Sequence, residues 1–342
     1  MSLKKIAEKS GVAISTVSHV LNGTAKISEE VRNRVLTVAK ETGYLSSRLR
    51  RAMPPTLKKI ALVVGSERLR HTGVNYVSWT ILESLRKECT SRNIEIEPIL
   101  IDDFAGNYQQ IAERVLGSKC DGILVYFDED RRLLDEVFKT GLSCILLAGQ
   151  DPTMHVGSVG IGDRNGARLG IEYLKGLGHK RIGIITWPGR YTIRQRQDGF
   201  DEAIRENAAI GMSGVTIMLE SFRPESAEQG MFEWIEQNPD LQGITAFFCM
   251  ADNVALGALK AFQQKGIRVP EDVSILGFDD ILAGQMTQPP LSTIHTPLHH
   301  IAKSALDELE LLTRTSEEDA PAKRVELGCR IIPRQSCQAI VE

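Results

Sequence analysis

Two groups of side chains have types and spacings that could do chemistry. The first is a run of short polar residues, Ser15, Thr16, Ser18, His19 and Asn22, interleaved with Val17, Val20 and Leu21. On a helix this spacing turns the aliphatic residues to one face and the hydroxyls, imidazole and amide to the other. Short hydroxyls suit phosphate oxygens or base edges, and a histidine can reach either. The plainer alternative for His19 is a surface histidine with no readout role. The second group is charged. Arg196 opens a helical stretch after the apolar run RIGIIT, Asp252 follows AFFCM, and Asp279 follows ILGF. Trp187 lies just past RIGIIT and Phe222 past VTIML. Accepting carboxylates, a donating guanidinium and an aromatic face are the parts of a site for a hydroxylated ligand. Asp252 has an equally good structural reading as a first-turn carboxylate of the helix in ADNVALGAL. Asp279, in FDD, favours ligand binding. The segment PGRYTIRQR adds Arg190 and Arg194, which either hold an anion by charge-assisted bonds or form a solvated basic loop.

The first group needs a compact helical module to present it. Leu3, Ile6 and Ala7 recur at helical spacing, Ser10-Gly11 interrupts, and the set at Val17, Val20 and Leu21 ends at Asn22-Gly23. A third helix opens at Ser28, a suitable N-cap, with Glu29 and Glu30 in the first turn where the macrodipole favours carboxylates. Two short helices joined by a glycine-bearing turn, with a third closing the core, predict a helix-turn-helix whose second helix enters the major groove. Charge agrees. Residues 1–58 carry 11 Lys+Arg against 4 Asp+Glu, a net of +7, while the remainder nets −10. The cationic end is where a polyanion should bind. Arg48, Arg50 and Arg51 follow the third helix in a segment with no core of its own, suited to ordering against a minor groove.

The second group needs strand ends. From Lys59 short β-branched runs (60–65, 94–101, 122–127, 144–149, 158–161, then 181–186, 215–219, 244–249, 273–278) alternate with helical stretches of 10–15 residues. This predicts βαβ units, parallel sheets and two successive similar lobes. Ligands of open α/β sheets bind beyond the carboxyl ends of the strands, so the site falls between the lobes.

Several chemistries are disfavoured. There is no P-loop, and GIGDRNG lacks the spacing of a dinucleotide fingerprint. His295, His299 and His300 have no acidic or cysteine neighbour in sequence, so neither metal nor cofactor is expected. No nucleophile–base set is recognisable, so an enzyme is not expected. The six cysteines show no CxxC pairs and sit largely in apolar runs, as reduced thiols do. MSLKKIAEKSG lacks an apolar signal core and no stretch approaches the roughly 20 apolar residues of a membrane span, which leads us to expect a cytoplasmic protein.

The run GVAISTVSHVLNGTAKISEEVRNRVLTVAKETGY resembles the DNA-binding domain of the lactose/galactose repressor family of bacterial transcription factors, and the similarity continues through nearly all 342 residues. The resemblance implies a helix-turn-helix headpiece (1–45), a hinge helix (46–58) and a two-lobed, doubly wound α/β core of the periplasmic-binding-protein type (59–342). Its N-lobe would be 59–161 plus 291–318, and its C-lobe 162–290 plus 319–342. It further implies a homodimer on a near-palindromic operator, a repressor controlled by a small metabolite, and a carbohydrate or its derivative as effector. Ile14 and Ser15 fall on the main base-reading positions, and His19 falls where the family usually has arginine. Arg51 matches the hinge arginine and Met53 the intercalating position. In the cleft, Asn75 opens a motif whose aromatics are replaced by Val77 and Ser78. Arg196, Phe222, Asp252, Asp279 and Asp163 match effector-binding positions, while Ala251 and Gly149-Gln150 depart from the pattern. Trp79 or Trp187 could supply the missing ring surface. The alternative, a sugar-binding receptor with no DNA role, shares the lobes but has no use for residues 1–58.

Overall fold

A computed structural model describes residues 3–22, 27–41, 57–69, 76–126, 130–151, 153–314 and 321–340. The chain divides into two compact units, Met1–Thr56 and Leu57–Glu342. In the first, α1 (Leu3–Ser10), α2 (Ile14–Asn22) and α3 (Glu29–Glu41) enclose a core of Ile6, Ala7, Val17, Val20, Val35 and Ala39. Gly11 ends α1 with φ 63°, and the Val12 amide donates back to the Ala7 carbonyl at 3.2 Å. That is the six-to-one bond of a Schellman cap, and the left-handed residue it needs is cheapest as glycine.

The second unit holds two six-stranded sheets. The first is built from β1 (Lys59–Val64), α4 (Tyr76–Arg92), β2 (Glu95–Leu100), α5 (Tyr108–Gly117), β3 (Gly122–Tyr126), α6 (Arg131–Phe138), β4 (Cys144–Leu147) and β5 (Gly157–Ile161). The second follows with α7 (Asp163–Gly176), β6 (Arg181–Thr186), α8 (Tyr191–Glu206), β7 (Ser213–Met218), α9 (Pro224–Gln237), β8 (Ala246–Cys249), α10 (Asp252–Gln264), β9 (Ser274–Asp279), α11 (Leu282–Gln285) and β10 (Ser292–His295). The chain closes with α12 (Leu298–Arg314), β11 (Arg324–Leu327) and β12 (Arg330–Ile332). The sheet orders are β11-β5-β4-β3-β1-β2 and β12-β10-β9-β8-β6-β7, parallel except for the β10–β12 pair. Within β1 the alternation is plain. Ile60, Leu62 and Val64 join one core cluster while Ala61 and Val63 join the cluster on the opposite face. Strands covered on both faces have no use for polar residues, which is why these runs read as continuously apolar. In each sheet the order reverses beside the first strand, the switch point where a crevice opens.

The expected lobe boundaries need correction near the C-terminus. β10 pairs with β9 (Ser292↔Leu276), so 291–295 belongs to the second lobe, whereas α12 packs on the first. β11 then pairs with β5 (Arg324↔Ser158), returning 324–327 to the first lobe before β12 joins the second. A strand's lobe is set by its edge partner, which is remote in sequence. The backbone thus crosses between lobes three times, between β5 and α7, between β10 and α12, and between β11 and β12. The six cysteines are all free thiols. No helix among the described residues is long and apolar enough to cross a membrane.

Candidate functional site

In the helical unit, α2 buries Val17 and Val20 and leaves Ile14 (48% exposed), Ser15 and His19 outward, with Thr16 and Ser18 at the margin. An exposed isoleucine at the head of a helix has no folding rationale here, but its methyls suit a thymine methyl in a major groove. Asn22 closes the helix. Arg51 and Met53 lie outside the described residues, as does the whole 46–56 stretch of the expected hinge.

Between the lobes lies a cavity lined by residues of both. The second lobe supplies its charged wall from strand ends and helix starts, with Asp163 from α7, Arg190, Thr192 and Arg196 from the start of α8, Asn253 from α10 and Asp279 from β9. The first lobe supplies the aliphatic Val77, Ile81, Leu298 and Ile301, with Tyr76, Ser78, Gln150 and Glu326 among its polar groups. Arg196 organises the charged side. Its Nε donates to Asp163 Oδ1 at 2.7 Å and its Nη1 to the Met250 carbonyl at 2.6 Å, while Nη2 stands 3.1 Å from Asp279 Oδ1. The guanidinium also lies 3.7 Å over the Phe278 ring. Two hydrogen bonds and one ion pair thereby fix the guanidinium. Asp279 Oδ1 is buried and held by this ion pair, with no further hydrogen bond. Burial lifts Asp163 to about 6 against the pull of Arg196, and raises Asp279 in the same direction for the same reason. Asp279 and Asp280 sit at φ 116° and 57°, left-handed conformations unusual for residues with a side chain. Backbone strain of this kind costs about 1–3 kcal/mol and collects at binding sites.

The structure brings together Ser78, Asp163, Arg196, Phe222 and Asp279 of the expected set. Asn75 lies outside the described residues. Asp252 is a correction. It is wholly buried and is not among the residues that line the cavity. Its oxygens accept from the Ile281 amide at 2.8 Å and the Thr293 hydroxyl at 2.6 Å, tying the start of α10 to the N-cap of α11 and to β10. Its neighbours Ala251 and Asn253 line the cavity instead. Trp187 is not among the lining residues, and its ring lies 6.1 Å from that of Phe222, which is. Sequence reasoning missed Thr192, Asn253 and Glu326. Thr192 was findable, being one helical turn before Arg196. Glu326 was not, because β11 reaches the cleft only through pairing with β5. The histidines are apart, since His295 ends β10 and bonds Asp280 at 2.9 Å, while His299, on α12, meets Ser84 at 3.0 Å.

Residues 2–47 match the family model of bacterial regulatory proteins of the lacI family, and residues 171–337 match that of a periplasmic binding protein-like domain. The chain is 28% identical to the HTH-type transcriptional repressor PurR of Haemophilus influenzae, covering 99% of both chains. It is 29% identical to the ribose operon repressor of the same species over 90% of both. Among solved structures it is similar to the lac repressor dimer bound to operator and the anti-inducer ONPF (TM-score 0.70, 22% identity, 99% of both chains). It is also similar to a complex of the transcriptional regulator CelR with cellobiose (TM-score 0.69, 24% identity, 98% of this chain and 99% of that one).

Proposed function

The chain belongs to the lacI family of bacterial regulatory proteins, and on that premise we propose that it is a DNA-binding transcriptional repressor controlled by a small metabolite held between its two lobes. The observation that carries this is the outward set Ile14, Ser15 and His19 on a helix whose other face, Val17 and Val20, is sealed in a core. Such a face is built to be covered, and the +7 charge of residues 1–58 says by what. The protein acts as a homodimer on a near-palindromic operator, each headpiece reading one half-site. Residues 46–58 serve as the hinge, with Arg51 and Met53 as further DNA contacts. The protein works in the cytoplasm and is not an enzyme.

In the cleft, Asp279 and Asn253 bond the hydroxyls of the effector, Arg196 holds Asp163 and Asp279 in place, and Phe222 gives a flat apolar surface. Carbohydrate-like ligands fit this mixture of acceptors, donors and one ring. Control is a linkage. An effector that favours one arrangement of the lobes binds operator-bound and free dimers with different affinity, and by reciprocity changes operator affinity by the same factor.

The test is fluorescence anisotropy of DNA from the region upstream of the gene. Wild-type protein should bind one near-palindrome. Ile14→Ala or His19→Ala should weaken it about tenfold or more and relax preference at one base pair per half-site. Equal affinity for every fragment, unchanged by either substitution, would refute the reading.

A further inference from the structure

We propose that Asp121 is a positioning residue for DNA recognition, clamping the point at which residues 1–56 join the core and so fixing the half-site spacing that the dimer accepts. This rests on the reading of a repressor dimer on a near-palindrome given above, and names a residue that sets its geometry. Asp121 stands just before β3, and its Oδ2 accepts from the amides of both Lys58 and Lys59, at 2.6 and 2.9 Å. Successive amides of a strand point to opposite sides, so one oxygen can gather two of them only where the chain bends. The bend falls at Lys58, one residue before β1 begins. Asp121 therefore sets the direction from which the chain enters the sheet. The acceptor is a carboxylate, and hydrogen bonds to a charged acceptor are about twice as strong as neutral ones.

The neighbouring groups hold the same point. Leu57 is 1% exposed and belongs to the first-lobe core. The Glu95 amide donates to the Lys58 carbonyl at 2.8 Å, and the Asp121 amide to the Lys59 carbonyl at 2.7 Å. Because β1 lies between β2 and β3, these bonds grip residues 58 and 59 from both sides. Lys59 Nζ adds ion pairs to Glu95 at 3.1 Å and Glu97 at 3.2 Å, both on β2. A chain entering a domain frays unless it is tied down. Here a buried side chain, two main-chain bonds and a carboxylate act within three residues. The strand itself is already secured by its ladders to β2 and β3, so the fold does not require a clamp on a bend that lies outside it. What the bend controls is the direction in which the chain leaves. In a dimer, two arms leaving from fixed roots reach DNA at one separation, whereas arms free to swivel at Lys58 would accept several.

The experiment measures anisotropy of the full-length protein on the near-palindrome bound by wild type, and on copies with one or two base pairs added or removed at its centre. Wild type should prefer the native spacing about a hundredfold, since the gain from binding with two arms is lost where they cannot engage together. Asp121→Ala should bind the native spacing about tenfold more weakly, and the altered spacings within a few-fold of it. Asp121→Asn keeps an oxygen that can accept from both amides, and should restore most of the discrimination. Affinity for a single half-site should be equal in all three, as the headpieces are unaltered. The control is Asn107→Ala, which removes the cap of α5 in the same lobe, where the side chain accepts from the Gln110 amide. It should lower the core Tm and leave the spacing preference untouched. If Asp121→Ala does not fold, Asp121→Ser takes its place, because a hydroxyl on Cβ stops one bond short of the amides. Wild-type discrimination in Asp121→Ala or Asp121→Ser overturns the proposal. So does relaxed spacing in Asp121→Asn or Asn107→Ala, or a wild type indifferent to spacing. If wild type binds no near-palindrome, the repressor reading falls and takes the clamp with it. If it binds one and the alanine variant discriminates as sharply, only the clamp falls.

Discussion

At the scale of single residues, Arg196 is the pivot of the cleft. It is 4% exposed and balances two carboxylates that are buried as deeply. Arg196→Met leaves both without a counter-charge, and removing one side of a buried pair costs about 3–5 kcal/mol. Urea unfolding should therefore show a large loss in that variant, and a change within error would mean the carboxyls are neutral in the native protein. Asp163 gives a prediction with a sign. Its carboxyl is held up at about 6 against an ordinary 3.8, so the folded state keeps a proton that the unfolded chain has released between those values. Its contribution to stability is fully present below the lower value and is lost as pH rises through the upper one. Across that window Tm should fall with rising pH less steeply in Asp163→Asn than in the wild type. Parallel curves would show that Arg196 holds the group ionised throughout. Most of these residues were legible because each stands just past an apolar run. Asp252 misled for the same reason, since a strand end followed by a helix start can face the cavity or lock the helix. Only the positions of Ile281 and Thr293 decide between the two.

At the scale of elements, close helix packing sets the site. α7 and α8 approach so tightly that a Cβ on Gly199 would lie 2.2 Å from the Arg164 carbonyl oxygen. The two helices are further laced by Arg164 with Glu202 and by Arg168 with Glu206. Because Asp163 begins one helix and Arg196 rides the other, Gly199→Ala should loosen that ion pair as well as lower Tm. The overpacking itself costs about 1–3 kcal/mol, and calorimetry should show weaker effector binding. Gly11 is a different case. A Cβ there meets nothing within 4 Å, so Gly11→Ala pays only the left-handed φ, about 1 kcal/mol. That substitution should weaken operator binding and leave the melting of the core unchanged. The nine strands from β1 to β9 could be read from their apolar runs. The last three could not, because β10, β11 and β12 alternate between sheets and no local pattern says which edge each will find.

At the scale of the whole molecule, the division of charge governs behaviour in salt. With +7 on residues 1–58 and −10 on the rest, attraction to DNA belongs to one unit and repulsion to the other. Operator affinity should fall on the order of a thousandfold between about 50 and about 200 mM salt if the dimer neutralises roughly six phosphates. Effector affinity, set inside a partly enclosed cavity, should depend on salt far less, and equal slopes for the two would place the basic residues elsewhere than on the DNA. The three passages of the backbone between the lobes, by contrast, concern how the molecule can be taken apart. A protease that nicks one of them leaves the halves tethered by two more, so cleavage should be visible only after denaturation. Nor can either lobe be made from one uninterrupted stretch of codons, because each borrows its outermost strand from residues 324–332. A truncation that drops the last twenty or so residues therefore damages both halves at once, β11 from one and β12 from the other.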